Sequence, residues 1–299
     1  MVWSCLVSIL PGMAQTEKLT DYVNPFVGTD GYGNVYPGAQ IPFGGIQISP
    51  DTDSRFYDAA SGYKYNHLTL MGFSLTHLSG TGIPDLGDFL FIPGTGEMKL
   101  EPGTHEDPDQ GYRSRYSHDK EWASPNYYAV ELADYGVKAE MTSGVRSGMF
   151  RFTYPESDNA FIMIDMNHTL WQSCEWSNLR MINDSTITGY KLVKGWGPER
   201  HVYFTATFSK KLTGLRFVQD KKPVIYNTSR FRSSYEAWGK NLMACISFDT
   251  KAGEEVTVKT AISAVSTDGA RNNMKELDGL TFNELRAKGE ALWEKELGK

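Results

Sequence analysis

YYAVELADYGVKAEMTSGVRSGMFRFTY, residues 127–154, decides the fold class of this chain. Apolar and polar residues alternate in three short runs, YYAVEL, VKAEMT and MFRFTY, and turn-forming residues separate the runs. Alternation with a period of two indicates half-buried strands, because successive side chains of a strand point to opposite faces of its sheet. The stretch therefore predicts consecutive antiparallel strands joined by short turns.

The same strand pattern continues to about Ser266. Further short apolar blocks follow in FIMIDM, ITGYKLV, VYFTATF, MACISF and VTVKTAIS, with turn clusters such as PESDNA and DTKAGEE between them. No alternation of strands with helices is visible. Many short strands separated by turn clusters predict a mainly β fold, an antiparallel sandwich or barrel.

Residues 20–103 have a different composition, rich in Gly, Pro, Asp and Tyr. Prolines and glycines in NPFVGTDGYGNVYPGAQIPFGG rule out a long helix, yet the apolar residues between them are too many for a disordered segment. We interpret the region as ordered loops and short strands packed across a surface. Ordered loops of this length usually carry function.

The chain ends in an amphipathic helix, FNELRAKGEALWEKELGK. Leu285, Leu292 and Trp293 stand at helical spacing, and Thr281 with Glu284 three residues later forms a capping box. Two interpretations are open. The helix connects to a further domain, or it is a terminal helix docked on the β domain.

Composition excludes several classes of protein. The chain has 299 residues and a formal charge of -6 without a clustered basic face, which argues against a nucleic-acid partner. No apolar stretch reaches transmembrane length. Residues 1–14 begin MVWSCLVSIL and end in small residues, like the second half of a secretory signal peptide, although the basic n-region is missing. We predict export.

The three cysteines, Cys5, Cys174 and Cys245, form no CxxC or Cys/His cluster, so a structural zinc site is not expected. A disulfide between Cys174 and Cys245 and a pair of buried thiols are both compatible with the sequence.

The stretch LTHLSGTGIPDLGD, residues 75–88, holds the candidate polar residues. Asp85 and Asp88 could share a ligand, but aspartates in Gly/Pro-rich loops more often cap turns through backbone amides. His77 fits a hydrogen-bonded, semi-buried histidine better than a catalyst. Nearby tyrosines in RFYDAASGYKY, and Trp171, Trp176 and Trp196 near turns, could stack on sugar rings, with a core role as the default.

Taken in order, several stretches resemble one family. YVNPFVGTDGYGNVYPGAQIPFGGIQISPDT, SGYKY, MGFSLTHLSGTG, DLGDFLFIP and GYRSRYSHDKEWASPNYYAVEL strongly resemble the N-terminal region of glycoside hydrolase family 92 α-mannosidases, from about Asp21 to Thr153. The resemblance implies an antiparallel β-supersandwich, similar to galactose-mutarotase-like sandwiches, with a C-terminal linker helix. We expect this domain to span residues 15–270, with residues 271–299 leading to an (α/α)6 catalytic barrel outside this chain.

The same resemblance implies a function. Members are calcium-dependent, inverting exo-α-mannosidases of N-glycans and mannans, exported by bacteria to the periplasm, cell surface or medium. The barrel supplies the general acid, the general base and most calcium contacts, so we expect no catalytic residue or metal ligand here. Expected partners are a mannose-containing oligosaccharide and the chain's own catalytic domain.

What the family implies for this chain is one wall of the sugar pocket. Glycines there let backbone amides approach hydroxyls, while Ser, Thr and His supply donors and acceptors. The residues carried over for substrate binding are Phe26, Gly28, Thr29, Tyr57, His77, Ser79, Gly80, Thr81 and Gly82.

One departure leaves the linkage open. Where members acting on α1,2-linkages commonly read GWDGCSGYH, this chain reads FYDAASGYK, so Tyr57 stands in place of a leaving-sugar tryptophan and Ala60 in place of a cysteine. Two other functions remain alternatives. One is a stand-alone carbohydrate-binding module; the other, a structural or interaction domain without sugar affinity, is weaker because the loop motifs are intact.

Overall fold

A computed structural model gives the fold and describes residues 17–54, 59–224 and 236–299. The strands of these residues are, in chain order, β1 (Ser49–Asp51), β2 (Thr69–Leu70), β3 (Gly72–Ser74), β4 (Leu90–Thr95), β5 (Ser114–Arg115), β6 (Glu121–Ser124), β7 (Tyr127–Leu132), β8 (Val137–Ser143), β9 (Ser147–Tyr154), β10 (Ser157–Asp165), β11 (Ser173–Asn183), β12 (Thr186–Lys194), β13 (Arg200–Phe208), β14 (Gly214–Gln219), β15 (Lys222–Pro223), β16 (Glu236–Gly239), β17 (Leu242–Thr250) and β18 (Glu254–Ser263).

The helical elements are few. Helix α1 spans Thr267–Met274 and α2 spans Phe282–Leu297. Short 3-10 turns occur at Leu19–Tyr22, Pro108–Gln110, His118–Lys120 and Lys275–Leu277.

Two antiparallel sheets form the body of the domain. The small sheet has seven strands in the order β1-β3-β4-β10-β17-β14-β15, and the large sheet has nine in the order β16-β11-β12-β13-β18-β9-β8-β7-β6. The three alternating runs of residues 127–154 form β7, β8 and β9, which are neighbours in the large sheet. Tyr128 is paired with Met141, and Met141 with Phe150. The predicted mainly β, antiparallel fold is confirmed.

The main core lies between the two sheets. Phe73 and Phe91 of the small sheet meet Phe150, Phe152 and Phe204 of the large sheet, and the Phe91 and Phe150 ring centroids are 4.9 Å apart. All five side chains are fully buried. Burial of each contributes roughly 1.5–3 kcal/mol to stability, so these alternating aromatics explain why one face of each strand points inward.

Helix α2 packs on the outer face of the large sheet. Phe282 and Leu285 bury their side chains with Leu277 against Tyr127 and Met149. The predicted capping box is confirmed, because the Thr281 hydroxyl accepts from the Glu284 amide and the Glu284 carboxylate accepts from the Thr281 amide.

The same helix anchors the first described residues. The Trp293 indole N–H donates to the Gln40 carbonyl at 2.7 Å, and the Glu294 carboxylate accepts from the amides of Leu19 and Thr20. Docking of the helix is therefore confirmed, whereas its role as a connector stays a prediction. The expected boundary after residue 270 falls inside α1 and also stays a prediction; the predicted signal-peptide remnant, residues 1–14, lies outside the described residues.

The two described cysteines are free thiols. Cys174 lies on β11 of the large sheet and Cys245 on β17 of the small sheet, and both are buried. Of the two alternatives left open by the sequence, the pair of buried thiols is the one observed. None of the helices in the described part of the chain is long and apolar enough to cross a membrane.

Candidate functional site

The connection between β3 and β4, residues 75–88, is a loop closed at its base; we call it the glycine loop. The Leu75 amide donates to the Asp88 carbonyl and the Gly87 amide to the Thr76 carbonyl, each at 2.8 Å. The Thr76 hydroxyl also donates to the Asp88 carboxylate at 2.7 Å. With its ends tied, the loop exposes its middle, residues 79–83, while His77 stays buried.

The tip of the glycine loop is open to solvent. Ser79, Gly80 and Gly82 are exposed and Thr81 is half-buried, with the Thr81 hydroxyl donating to the Ile83 carbonyl at 3.1 Å. Gly80 has φ +72°, a left-handed conformation in which a Cβ would be strained. Backbone amides and small hydroxyls are thus the chemistry that this tip presents.

A second loop, residues 24–34, lies beside the first. The Gly80 amide donates to the Asn34 carbonyl at 2.7 Å, and the Tyr65 amide donates to the Thr29 carbonyl at 3.0 Å. The structure therefore brings together NPFVGT and HLSGTG, the two segments from which pocket-wall residues were predicted, with SGYKY beside them.

Within the 24–34 loop the predicted residues have different exposures. Gly28 has φ +85° and is partly exposed, whereas Thr29 is buried and donates its hydroxyl to the Phe26 carbonyl at 2.8 Å. The half-buried Phe26 ring packs edge-on against Tyr65 at 5.9 Å. Thr29 therefore shapes the turn, while Phe26 and Gly28 contribute surface.

His77 lies behind the loop surface. Its side chain is fully enclosed, Nε2 is 2.7 Å from Asp51 Oδ1, and Nδ1 donates to the Gln47 carbonyl at 2.8 Å. Both ring nitrogens therefore have an oxygen partner, and Nε2 is also 3.1 Å from the Ser74 hydroxyl. In this geometry His77 holds the loop in position; sugar contact by His77 stays a prediction.

Asp51 also binds a second histidine. His168 Nε2 donates to Asp51 Oδ2 at 2.8 Å, and the carboxylate is fully buried. Burial alone would raise the pKa of Asp51, but the charge of His77 and the hydrogen bonds from both histidines outweigh it and hold that pKa well below its usual range. The aspartate is ionised and bound at both oxygens.

Asp85 and Asp88 hold the loop, as predicted. Asp85 accepts from the amides of Leu86 and Trp196, at 2.6 and 3.3 Å. Asp88 is buried with Lys191, whose ammonium lies 3.1 Å away, and it also pairs with Arg200. Burial acts to raise the pKa of Asp88, yet these two cations lower it well below its usual range. These contacts give both aspartates a structural role in the loop.

A cavity of about 1040 Å³ is lined in part by residues 167–169 and 171–174, and no residue of the glycine loop belongs to its lining. His168, Trp171 and Gln172 contribute to its lining, and the Gln172 amide donates to the Pro84 carbonyl of the loop. Trp171 is 60% exposed at φ +70°, a strained backbone for a bulky residue. Ser54 also lines the cavity, next to the undescribed residues 55–58.

The aromatic residues singled out from the sequence separate into two groups. Trp171, Trp176 and Trp196 are 46–60% exposed, as a sugar-stacking role requires. Tyr63 is buried and donates its hydroxyl to the Glu121 carboxylate at 2.9 Å, so it serves the core. The predicted contact residue Tyr57 lies outside the described residues.

Sequence reasoning missed the charged residues that support the site. Asp51, His168, Lys191 and Arg200 come from four separate segments, and no spacing pattern links them. Asp51 stands within the stretch that carries the family resemblance, which is the single signal that could have drawn attention to it.

The family model for the glycosyl hydrolase family 92 N-terminal domain matches residues 22–263. This chain belongs to that family. A secreted glycosidase of Arthroderma benhamiae, named as uncharacterized, is 26% identical over 93% of this chain and 38% of its own length.

Two solved structures share the fold. The family 92 glycosyl hydrolase ccman5 is 27% identical with a TM-score of 0.78, over 93% of this chain and 37% of its own. A family 92 inverting mannosidase from Bacteroides thetaiotaomicron is 24% identical, also with a TM-score of 0.78. The match covers 95% of this chain and 37% of that protein. The chain thus spans less than two fifths of the length of each relative. The recognised family and the β-supersandwich class are confirmed.

Proposed function

We propose that this chain is the substrate-pocket domain of a calcium-dependent, inverting exo-α-mannosidase that acts on the mannosides of N-glycans or mannans. The supporting observation is the hydrogen bond from the Gly80 amide to the Asn34 carbonyl, which joins the exposed glycine loop to the 24–34 loop. Family membership and the inverting mannosidase among its relatives support the same class of reaction.

The part played by this chain is binding and positioning. The exposed backbone of Ser79 and Gly82 and the hydroxyls of Ser79 and Thr81 suit sugar hydroxyls, since glycine allows close approach and a hydroxyl both donates and accepts. The Asp51 and Asp88 networks fix the base of the loop, so little entropy is lost when a sugar binds. The general acid and base are proposed to lie in the remainder of the enzyme.

Calcium is proposed on family grounds alone. Among the described residues no group of three or more His, Cys, Asp or Glu side chains is placed to hold a metal. Calcium prefers six to eight oxygen ligands, so the side chains described here do not fit it, and we assign its ligands to the remainder of the enzyme. Export to the periplasm, cell surface or medium is proposed from the N-terminal sequence and the secreted relative.

Assays on two proteins test the proposal: the purified chain, and the product of the reading frame that contains it if that frame extends past Lys299. We expect calcium-dependent release of mannose with inversion from the longer protein, and no turnover of aryl α-mannosides by the chain alone. Calcium-dependent turnover by the pure chain would contradict the assignment of the catalytic residues to the remainder of the enzyme. Absence of mannoside hydrolysis by the longer protein would contradict the proposed mannosidase function.

The alternative, a stand-alone carbohydrate-binding module, is favoured by one observation: hydrogen bonds and ion pairs within this domain hold the loops in position. Calorimetry of the chain with mannose separates the two. A pocket completed by a second domain predicts weak binding, whereas a complete module predicts tight binding.

A further inference from the structure

We propose that the outer face of the large sheet carries a second, non-catalytic binding groove for a neutral oligosaccharide. The groove lies over β16, β11, β12 and β13, at the end of the sheet that α2 leaves uncovered, and has a volume of about 460 Å³. Ligand pockets measure roughly 300–1,000 Å³. The glycine loop belongs to the other sheet, so this groove is a separate site; the choice of a mannose oligosaccharide as its ligand rests on the function proposed above.

Strand register places the walls and floor of the groove. Trp238, Asn178, Tyr190 and Tyr203 are paired in one row across the four strands. Neighbouring strands are about 4.8 Å apart, so Trp238 and Tyr190 stand roughly 10 Å apart, with Asn178 between them. Two aromatic walls at that separation leave room for a single ring-shaped ligand.

Aromatic surface in the groove is available to a ligand. The Trp238 side chain is 53% exposed. Opposite it, the Tyr190 and Tyr203 rings support each other at 4.8 Å, and the Tyr190 hydroxyl is 3.0 Å from His201 Nδ1. A pyranose presents apolar C–H faces that stack on such rings.

Polar groups in the groove suit hydroxyls. Arg180 follows Asn178 on the same face of β11, and its guanidinium has no hydrogen-bond or ion-pair partner among the described residues. Asn178 donates one amide hydrogen bond to the Ala237 carbonyl at 3.1 Å and a longer one of 3.3 Å to the Glu236 carboxylate. A guanidinium and a carboxylate on rigid strands supply both donors and acceptors.

Charge in the lining selects a neutral ligand. Arg180 and Arg271 are balanced by Glu236 and Asp268, and Arg271 pairs with Asp268 at 3.0 Å. A nucleic acid or phosphorylated ligand would need an excess of cations, and a metal ion an excess of carboxylates. A protein partner would meet a flat patch, whereas this site is a groove with a polar floor. A neutral saccharide is the ligand class that fits the aromatic walls, the polar floor and the balanced charge of the groove.

The test uses mannohexaose as the probe, with affinity measured by titration and location by hydrogen–deuterium exchange. We expect protection of residues 173–183 and 236–239, and roughly tenfold weaker binding at that site in Trp238→Ala. Arg180→Ala should weaken binding in the same direction. Trp122→Ala is the matched control, because Trp122 is 44% exposed on β6 at the far edge of the same sheet.

Circular dichroism and the melting temperature establish that each variant is folded. Equal loss of binding in Trp122→Ala and Trp238→Ala would overturn the proposal. Protection confined to residues 75–88 would do so as well, as would the absence of saturable binding to mannohexaose. If a protein partner binds this face and mannohexaose does not compete, the saccharide assignment is wrong.

Discussion

His77 Nε2 lies 2.7 Å from Asp51 Oδ1, and neither side chain has any exposed surface. Asp51 ends β1 while His77 is in the glycine loop, so the contact fastens the loop to the small sheet. His168 binds the other oxygen of the same carboxylate at 2.8 Å. One buried charge therefore joins three segments of the chain behind the surface that we assign to the sugar.

Asp51→Asn tests this connection. Neutralising one partner of a buried ionic group costs roughly 3–5 kcal/mol, because the histidines lose the charge that offsets their burial. We expect a lower free energy of unfolding in urea and, at roughly 2–4 °C per kcal/mol for a chain of this size, a clearly reduced melting temperature.

Asp158→Asn is the control for Asp51→Asn. Asp158 is exposed on β10 and has no hydrogen-bond or ion-pair partner among the described residues, so its substitution should leave stability within about 0.5 kcal/mol of the parent. If both variants unfolded at the same urea concentration, the Asp51 bridge would be energetically unimportant.

Stability should depend on pH through Asp51 and Asp88. The pKa of each is held well below its usual range in the folded protein, by the histidines at Asp51 and by Lys191 and Arg200 at Asp88. A depressed folded-state pKa stabilises the protein above the unfolded value of about 3.9, and this stabilisation is lost as the pH falls below it. Urea titrations from neutral to acid pH should therefore show a steep loss below about pH 4.

Asp51→Asn should show a shallower loss over the same acid range, since one of the two carboxylates no longer takes up a proton on unfolding. An identical slope in the variant and the parent would show that other groups govern the acid transition.

Lys191→Met probes the second buried charge. Lys191 and Asp88 are both fully buried, and the ammonium also donates to the His168 carbonyl at 2.6 Å. Methionine replaces the aliphatic part of the lysine side chain but leaves the Asp88 carboxylate with one cation fewer, so we expect a loss of roughly 3 kcal/mol in the free energy of unfolding.

Lys194→Met, three residues along β12, removes an exposed lysine and serves as its control. Unfolding in guanidinium chloride should separate the two variants clearly. Equal stability would mean that Arg200 alone is sufficient to compensate Asp88.

Two glycines near the site should respond differently to alanine. Gly62 has φ +85°, and a Cβ there would overlap Asp51 Oδ1; Gly80 has φ +72°, and a Cβ there would meet open space. Gly80→Ala should therefore cost only the backbone strain, roughly 1–2 kcal/mol. Gly62→Ala adds displacement of a buried carboxylate and should cost at least twice as much. Comparable melting temperatures for the two variants would contradict the tight packing of Asp51 against Gly62.

Local sequence patterns were sufficient for much of the fold. The alternation in residues 127–154 predicted β7, β8 and β9 because every second residue enters the core, and Thr281 with Glu284 predicted the cap of α2 because capping depends on residues three apart. The antiparallel class followed from the short turns between strands.

The supporting charges of the site could not be predicted in this way. Asp51 meets His168, 117 residues away, and Asp88 meets Lys191 across the space between the sheets. Lys191 occupies an inward position of β12 where the alternation alone favours an apolar residue. Such pairings depend on how the two sheets stack, and the spacing of residues along the chain does not predict that stacking.

The two buried thiols give the last prediction. Burial raises the pKa of Cys174 and of Cys245, so little thiolate is present at neutral pH, and Cys245 has no exposed surface. Iodoacetamide should leave both residues unmodified in the native protein and alkylate both in urea, as followed by peptide mass spectrometry. Reductant should not change the melting temperature, since the two sulfurs are unpaired. A peptide linking Cys174 to Cys245 in a non-reducing digest would contradict the observed packing, because the residues stand on different sheets.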